Sequence, residues 1–377
     1  MTRPDPKGWC PGAYRPMMSG DGLVVRVRPE FARLTRAQIQ GLCDLSLTYG
    51  SGLIDLTSRA NLQIRGVGED DHEALLQDLA DLGLLKDDPD LEARRNILMA
   101  PTWQMDDDTY RITSELMKRL AELPPLPAKV GFAVDTGKTP VLSTNSADFR
   151  IERDELGGLI LRADGAALGR PVTVETAVTS LIDMAHWFVD TGGPTNRRMA
   201  PHLDKMSLPS AWSTTAPAKT EETLVPGAHE LGTAYGVAFG QIEAKALKRL
   251  LNQTDATALR VTPWRLFLLE NGAEVDSVDF ITDGQDPLLR VNACPGTPFC
   301  TAASVDTRGI ARELAHVITG PLHISGCAKG CAMPRKCRTT LVGRNGAFDL
   351  VRDGVPWDEP RLTGLAPDTL TDRIGEK

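Results

Sequence analysis

Four of the seven cysteines in this 377-residue chain lie between positions 294 and 331, as Cys294-Pro-Gly-Thr-Pro-Phe-Cys300 and Cys327-Ala-Lys-Gly-Cys331. The spacing is C-x5-C, then 26 residues, then C-x3-C. Four thiolates are the ligand set of a cubane iron–sulfur cluster. Zinc is the alternative, because structural zinc sites of four cysteines exist. Zinc pairs favour roughly two to four intervening residues, so the x5 arm suits them less well. Buried free thiols are a third reading, which the crowding disfavours. Glycine and proline around the first pair let backbone N–H groups turn toward sulfide. Lys329, Arg335, Lys336 and Arg338 surround the second pair and would offset an anionic cluster. Cys337 reads as a neighbour of this group and Cys43 as a core residue. Cys10 reads as a turn residue or as a contact from the N-terminal arm to an active site.

An α/β scaffold must position these residues. Residues 22–28 alternate Val25 and Val27 against Arg26 and Arg28, the pattern of a strand. Thr35 and Gln38 have capping-box spacing ahead of a helix. Its apolar face would carry Ile39, Leu42, Cys43 and Leu47, and Gly50 would stop it. Strands are expected over 53–57 and 61–66. The same order recurs as a strand over 235–240, a helix over 242–251, and strands over 258–262 and 264–270, which predicts a duplicated unit. Further helices are expected over 70–82, 110–123, 174–189 and 307–319. Residues 190–222, rich in Gly, Pro, Ser and Thr, read as a linker.

Composition narrows the function. Hydrophobic residues make up 41% of the chain, enough for sizeable cores in two or three domains, and 24% charged residues argue against disorder. Lys and Arg number 42 against 50 Asp and Glu; the net charge of −8 argues against a general nucleic-acid binder. There is no run of 18 apolar residues, and residues 1–7 carry no apolar signal core, so a soluble cytoplasmic protein is expected. No G-x-G-x-x-G opens a βαβ unit, since Gly50-Ser-Gly52 lacks the third glycine. Electrons are therefore expected from a separate donor protein at the cysteine lobe.

The cysteine pattern, preceded by His323-Ile-Ser-Gly326, resembles the nitrite/sulfite reductase superfamily. Thr57-Ser-Arg-Ala-Asn-Leu-Gln-Ile-Arg-Gly-Val67 resembles its T-x-R-Q-x-x-Q-x-R/H-G strand. Arg95-Asn-Ile97 resembles its R-N-[VI] segment, and Pro127-Ala-Lys-Val-Gly-Phe132 its P-R-K-x-K motif. The resemblance implies a mixed α/β (α+β) fold of sulfite-reductase type, with duplicated ferredoxin-like half-domains plus two α/β lobes. The N-terminal arm and first half would occupy 1–70, an α/β lobe and linker 71–222, the second half 223–290, and the iron–sulfur lobe 291–377. It also implies that Cys294, Cys300, Cys327 and Cys331 hold a [4Fe-4S] cluster. Arg59, Gln63, Arg65, Arg95, Asn96 and Lys129 would bind a carboxylate-edged tetrapyrrole through charge and hydrogen bonds. It identifies no catalytic residue.

The departures from the pattern matter. Gly131 stands where the superfamily has the second lysine of P-R-K-x-K, and Ala128 replaces the arginine. An enzyme that protonates a small bound oxyanion should keep both cations, so sulfite and nitrite reduction are disfavoured. The arm Cys10-Pro-Gly and Pro16-Met-Met-Ser-Gly-Asp-Gly-Leu-Val-Val-Arg26 is instead similar to the precorrin-3B synthase branch. That likeness implies an O2-dependent monooxygenase of aerobic cobalamin biosynthesis, which hydroxylates precorrin-3A at C20 and forms a γ-lactone. Implied partners are precorrin-3A, O2 and an electron-donor protein, with no nucleic acid and no membrane. A mononuclear non-haem iron is also implied, but its ligands cannot be read from the order of the chain. Two alternatives stay open: a sirohaem-dependent nitrite or sulfite reductase, and a non-catalytic cluster protein that carries a tetrapyrrole. His316 reads as structural, and His323 as a strand residue or a support for the cluster loop.

Overall fold

The computed structural model describes residues 11–220 and 223–374. Cys10 and the start of the N-terminal arm lie outside the described residues. The chain opens with β1 (Met17–Ser19), β2 (Gly22–Val27), β3 (Arg33–Thr35), α1 (Arg36–Tyr49), β4 (Leu53–Leu56) and β5 (Leu62–Val67). Thr35 caps α1 as its sequence implies: its hydroxyl accepts from the Gln38 N–H, and the Gln38 side chain accepts from the Thr35 N–H at 3.0 Å. Ile39, Leu42 and Cys43 are buried. Leu47, expected on that face, is 37% exposed, and Ser46 is buried in its place. The buried stripe is narrow, and the Ser46 hydroxyl can sit on it because it donates to the Leu53 carbonyl at 3.4 Å.

The middle of the chain forms α2 (His72–Asp81), α3 (Pro89–Arg94), β6 (Ile97–Met99), α4 (Asp108–Lys118), β7 (Phe132–Asp135), β8 (Phe149–Arg153), β9 (Leu159–Ala163), β10 (Arg170–Val172), α5 (Val174–Asp190), α6 (Gly193–Asn196) and α7 (Met199–Leu203). The segment read as a linker is therefore partly built. It holds α6 and α7, and Thr215 and Pro217 bridge back to Gly169 and Asp154. Buried His202 anchors it, with ring nitrogens 2.8 Å from the Thr191 hydroxyl and 3.0 Å from the Asn196 amide. The second half runs β11 (Gly227–His229), β12 (Gly232–Gly236), β13 (Gln241–Glu243), α8 (Ala244–Asn252), β14 (Ala258–Val261) and β15 (Leu266–Glu270). The last lobe is β16 (Val291–Ala293), α9 (Arg308–Ala315), β17 (Leu322–Ser325), β18 (Cys337–Arg344), β19 (Ala347–Gly354), β20 (Leu362–Leu365) and α10 (Leu370–Ile374).

The two ferredoxin-like halves exchange strands. One sheet has the order β1-β2-β5-β4-β13 and the other β11-β12-β15-β14-β3, so each half lends its short strand to its partner's edge. Phe31 and Phe239 occupy matching turns just before the lent strands, with φ of 55° and 58°. Both sheets turn their apolar faces onto one shared core, where Val25, Ile54, Ile64 and Leu42 meet Tyr235, Phe267 and Leu250. The duplication extends to the lobes. In each, three strands run parallel (β6, β7, β8 and β16, β17, β18) and two antiparallel strands complete the sheet. Among the described residues, no helix is long and apolar enough to cross a membrane.

A three-residue ion network ties these parts together. Glu270 on β15 takes Arg33 of lent β3 at 2.7 Å and Arg260 of β14 at 2.5 Å. Arg260 also donates to the Pro101 carbonyl at 2.8 Å and lies 4.2 Å over the Trp103 ring of the middle lobe. Burial alone would raise the Glu270 carboxyl, but hydrogen bonds and charge from Arg33 and Arg260 hold it below its ordinary value. A depressed carboxyl contributes stability above its unfolded pKa and loses that contribution as pH falls through the folded value. Denaturant titrations should thus show stability declining below about pH 4.3. Glu270→Gln should cost about 3 kcal/mol at neutral pH and flatten that decline. An unchanged midpoint in the variant would contradict the network's role.

Candidate functional site

The site begins with the alternation along β2. Val25 and Val27 face the shared core, while Arg26 and Arg28 face the other way yet are only 8% exposed. That second face is an interior wall, not a solvated surface. Cross-strand register aligns Arg26 with Gln63, Gln63 with Asp55, and Asp55 with Gln241, giving a row of four polar side chains across four strands. Gln241 belongs to the strand lent by the second half, and its amide donates to Asp55 at 3.2 Å. Arg65, two residues beyond Gln63, grips Asp21 through Nε at 3.0 Å and Nη2 at 2.7 Å, and reaches Asp55 at 3.4 Å. Burial raises the Asp55 carboxyl above the ordinary range despite Arg65, Arg308 and Gln241.

The other substrate-binding candidates flank this wall. Arg95 is buried; it pairs with Glu92 at 2.5 Å and donates to the Arg28 carbonyl at 2.6 Å, while Arg28 meets the same Glu92 at 3.1 Å. Arg59 donates to the Lys129 backbone carbonyl at 2.6 Å, and both residues are half-buried. Asn96 donates to the Val130 carbonyl at 2.8 Å. Its amide fills the space at Gly131, where an added Cβ would come within 2.8 Å of Asn96 Nδ2. The Gly131 N–H is held by Asp148 at 3.0 Å. A lysine at position 131 would have to displace this packing.

The cysteine loops close one end of the wall. β16 and β17 are adjacent and parallel, with Ala293 beside Ile324, so the chain leaves both strands on the same side of the sheet. Cys294 follows the first strand directly, and Cys327 lies two residues past the second. The Gly326 N–H donates to Cys294 Sγ at 3.1 Å, and Thr307 donates to the Cys294 carbonyl at 2.5 Å. Burial pushes the Cys294 thiol up; backbone N–H groups of Gly326 and Gly296 oppose this, and the charges of Cys300 and Cys327 add to it. Cys331 is raised by burial and then by the other three thiols. Cys331 thus lies within electrostatic reach of the other three thiols, and Cys294 within reach of Cys300 and Cys327. Among the described residues, no three His, Cys, Asp or Glu side chains could hold a metal ion. The backbone donor on sulfur and the exposed Lys329, Arg335 and Lys336 suit an anionic cluster.

The remaining candidates sort themselves by position. Cys43 is core, its thiol pushed up to about 12 by burial. Cys337 is the first residue of β18, next to Thr340 and Arg335. His316 is exposed. His323 is fully buried with both ring nitrogens unpartnered among the described residues, and burial brings its pKa down to about 4, so the ring is neutral. The N-terminal hairpin seals the cysteine loop to the wall: the Ser19 hydroxyl and Gly20 N–H donate to the Phe299 carbonyl at 3.0 and 3.2 Å. Sequence reasoning missed Asp21, Asp55, Gln241 and Arg308. The Arg26/Arg28 alternation marked their face, but nothing local said that it was enclosed.

A separate cleft of about 1290 Å³ opens past the ends of β6 and β7, the position in the first lobe that the cysteine loops hold in the last. Asp106, Asp107, Asp108 and Glu230 line it and outnumber its cations Lys138 and Arg153, the latter tied to Asp108 at 2.6 Å. That wall is poorly suited to a polyanion.

Residues 15–82 match the nitrite/sulfite reductase ferredoxin-like half domain. The chain is 30% identical to a precorrin-3B synthase from Sinorhizobium sp., covering 98% of this chain and 86% of that protein. It is 28% identical to a ferredoxin–nitrite reductase from Leptolyngbya laminosa over 30% of this chain and 22% of that one. The solved structure of Mycobacterium tuberculosis NirA superimposes with a TM-score of 0.66 at 16% identity, over 93% of this chain and 79% of that one. The last comparison establishes the fold type.

Serine substitution tests the ligand set. Serine at Cys294, Cys300, Cys327 or Cys331 should abolish the visible cluster absorption and most bound iron. Cys43→Ser and Cys337→Ser should retain both. Iron loss confined to Cys337→Ser would contradict the assignment.

Proposed function

Because this chain belongs to the precorrin-3B synthase family, we propose that it hydroxylates precorrin-3A at C20 with O2, and that the ring-A acetate closes a γ-lactone. One oxygen atom enters the macrocycle and the other leaves as water, which consumes two electrons and two protons. A [4Fe-4S] cluster on Cys294, Cys300, Cys327 and Cys331 would, when bound, supply electrons one at a time. The source is a separate donor protein, since no dinucleotide fingerprint opens a βαβ unit.

The observation that carries this reading is the contact between the cysteine loops and a buried, arginine-bearing sheet face. A flat ring edged with carboxylates needs walls rich in cations and hydrogen-bond donors. Arg65 and Arg95, already paired with Asp21 and Glu92, fix the shape of the wall. Arg59 and Lys129 bring charge to one edge, and Gln63 adds a neutral amide. Holding the macrocycle in one register presents a single edge carbon to the oxidant. Gly131 supports the same reading, because an oxyanion reductase would need a cation where Asn96 leaves no room.

The test is turnover of anaerobically prepared protein with precorrin-3A, reductant and 18O-labelled O2. One labelled oxygen should appear in the macrocyclic product. Tightly bound sirohaem with nitrite turnover would favour the reductase alternative. Tetrapyrrole binding without O2 consumption would favour the carrier, and either result would overturn the proposal.

A further inference from the structure

Arg308 is the first residue of α9, reached directly from the C-x5-C loop. Its Nε and Nη1 are buried, and neither has a hydrogen-bond partner among the described residues. A guanidinium is always charged, and burying its N–H groups without acceptors is costly enough that native structures rarely leave them so. The side chain lies within reach of the charges of Asp55, Arg65, Cys294 and Arg312, between the polar wall and the cysteine loop. The nearby carboxylates are already taken. Asp55 accepts from Gln241 and Arg65, and Asp21 accepts twice from Arg65. Arg65 and Arg312 add positive charge to the same region. Thr307, the preceding residue, is locked to the Cys294 carbonyl, so the arginine is carried on a fixed support.

We infer that Arg308 anchors a carboxylate of the bound tetrapyrrole against the cysteine loop, and so sets which edge of the macrocycle faces the cluster lobe. The inference rests on the functional reading above. It adds a positioning residue that lies in none of the motifs carrying the family resemblance. A competing acceptor is sulfur on the Cys294 side, thiolate or inorganic sulfide. The two differ in what they control: a sulfide bond tunes the cluster, and a carboxylate bond tunes ligand affinity.

The experiment measures anaerobic binding of precorrin-3A by tryptophan fluorescence quenching, together with iron content and cluster midpoint potential. It compares wild type, Arg308→Met, Arg308→Gln and Arg308→Lys. The Met and Gln variants should weaken binding about tenfold or more, and Lys should recover part of the loss. Iron content should stay at the wild-type value, and any change in potential on neutralising the charge should be absent in Arg308→Lys. Unchanged affinity in the Met and Gln variants would overturn the inference. So would iron loss in both, which would assign Arg308 to the cluster. Failure of the wild type to bind precorrin-3A would sink the functional reading itself, an outcome distinct from either.

Discussion

Parallel pairing of β16 with β17 decides where the chemistry can sit. Parallel neighbours end on the same side of a sheet, so the two loops that follow them must meet. With Ala293 beside Ile324, Cys294 and Cys327 emerge together, and C-x5-C and C-x3-C deliver the other two thiols to the same place. An antiparallel pair in the same positions would send the two loops to opposite edges. Backbone then finishes the arrangement: the Gly326 N–H is spent on sulfur, and an added Cβ there would meet Ala303 at 2.6 Å.

The second constraint is the enclosed polar face of the first sheet. Sheets of this kind bury one side and wet the other, yet here Arg26, Arg28 and Arg65 are each under 9% exposed on the side away from the core. Buried charges persist only when paired. Asp21 and Asp55 pair with Arg65, and Glu92 pairs with Arg28, and each comes from a segment that must be placed before the wall is complete. The strand exchange belongs to the same economy of contacts, since Gln241 of the lent strand completes the row. Among the groups left unpartnered, two lie beside the cysteine loops or in the strand that leads to them. His323 resolves its isolation by staying neutral, whereas Arg308 cannot.

Much of this was legible in the chain. The Thr35/Gln38 capping box and the Val25/Val27 alternation rest on local chemistry that no tertiary context overrode; the recurring unit was legible in its order, but its strand expected over 235–240 ends at Gly236, and Ile242, read as helix, lies in the lent strand β13. The cysteine spacing implied a meeting of four thiols, and those thiols are neighbours. Strands of three residues, such as Arg33–Thr35 and Gln241–Glu243, are too short to carry a period, so their exchange was invisible. The repeat in the lobes was hidden because their sequences share no motif, only a strand order. Leu47 was misplaced because position 46 lies nearer the middle of the buried stripe, and a local hydrogen bond lets serine occupy it. Asp55 was missed because Gln241, which completes its row, lies 186 positions away, and Arg308 because the wall it faces is built by the first half of the chain.

The central claim is that these four thiols grip an iron–sulfur cube beside a wall built for a flat polyanion. Mössbauer spectroscopy on iron-57-labelled protein, purified without oxygen and analysed in parallel for metals and sulfide, tests it most directly. The expected result is four irons and four sulfides per chain in a single cubane species. A colourless preparation carrying zinc, or no metal at all, would contradict the account.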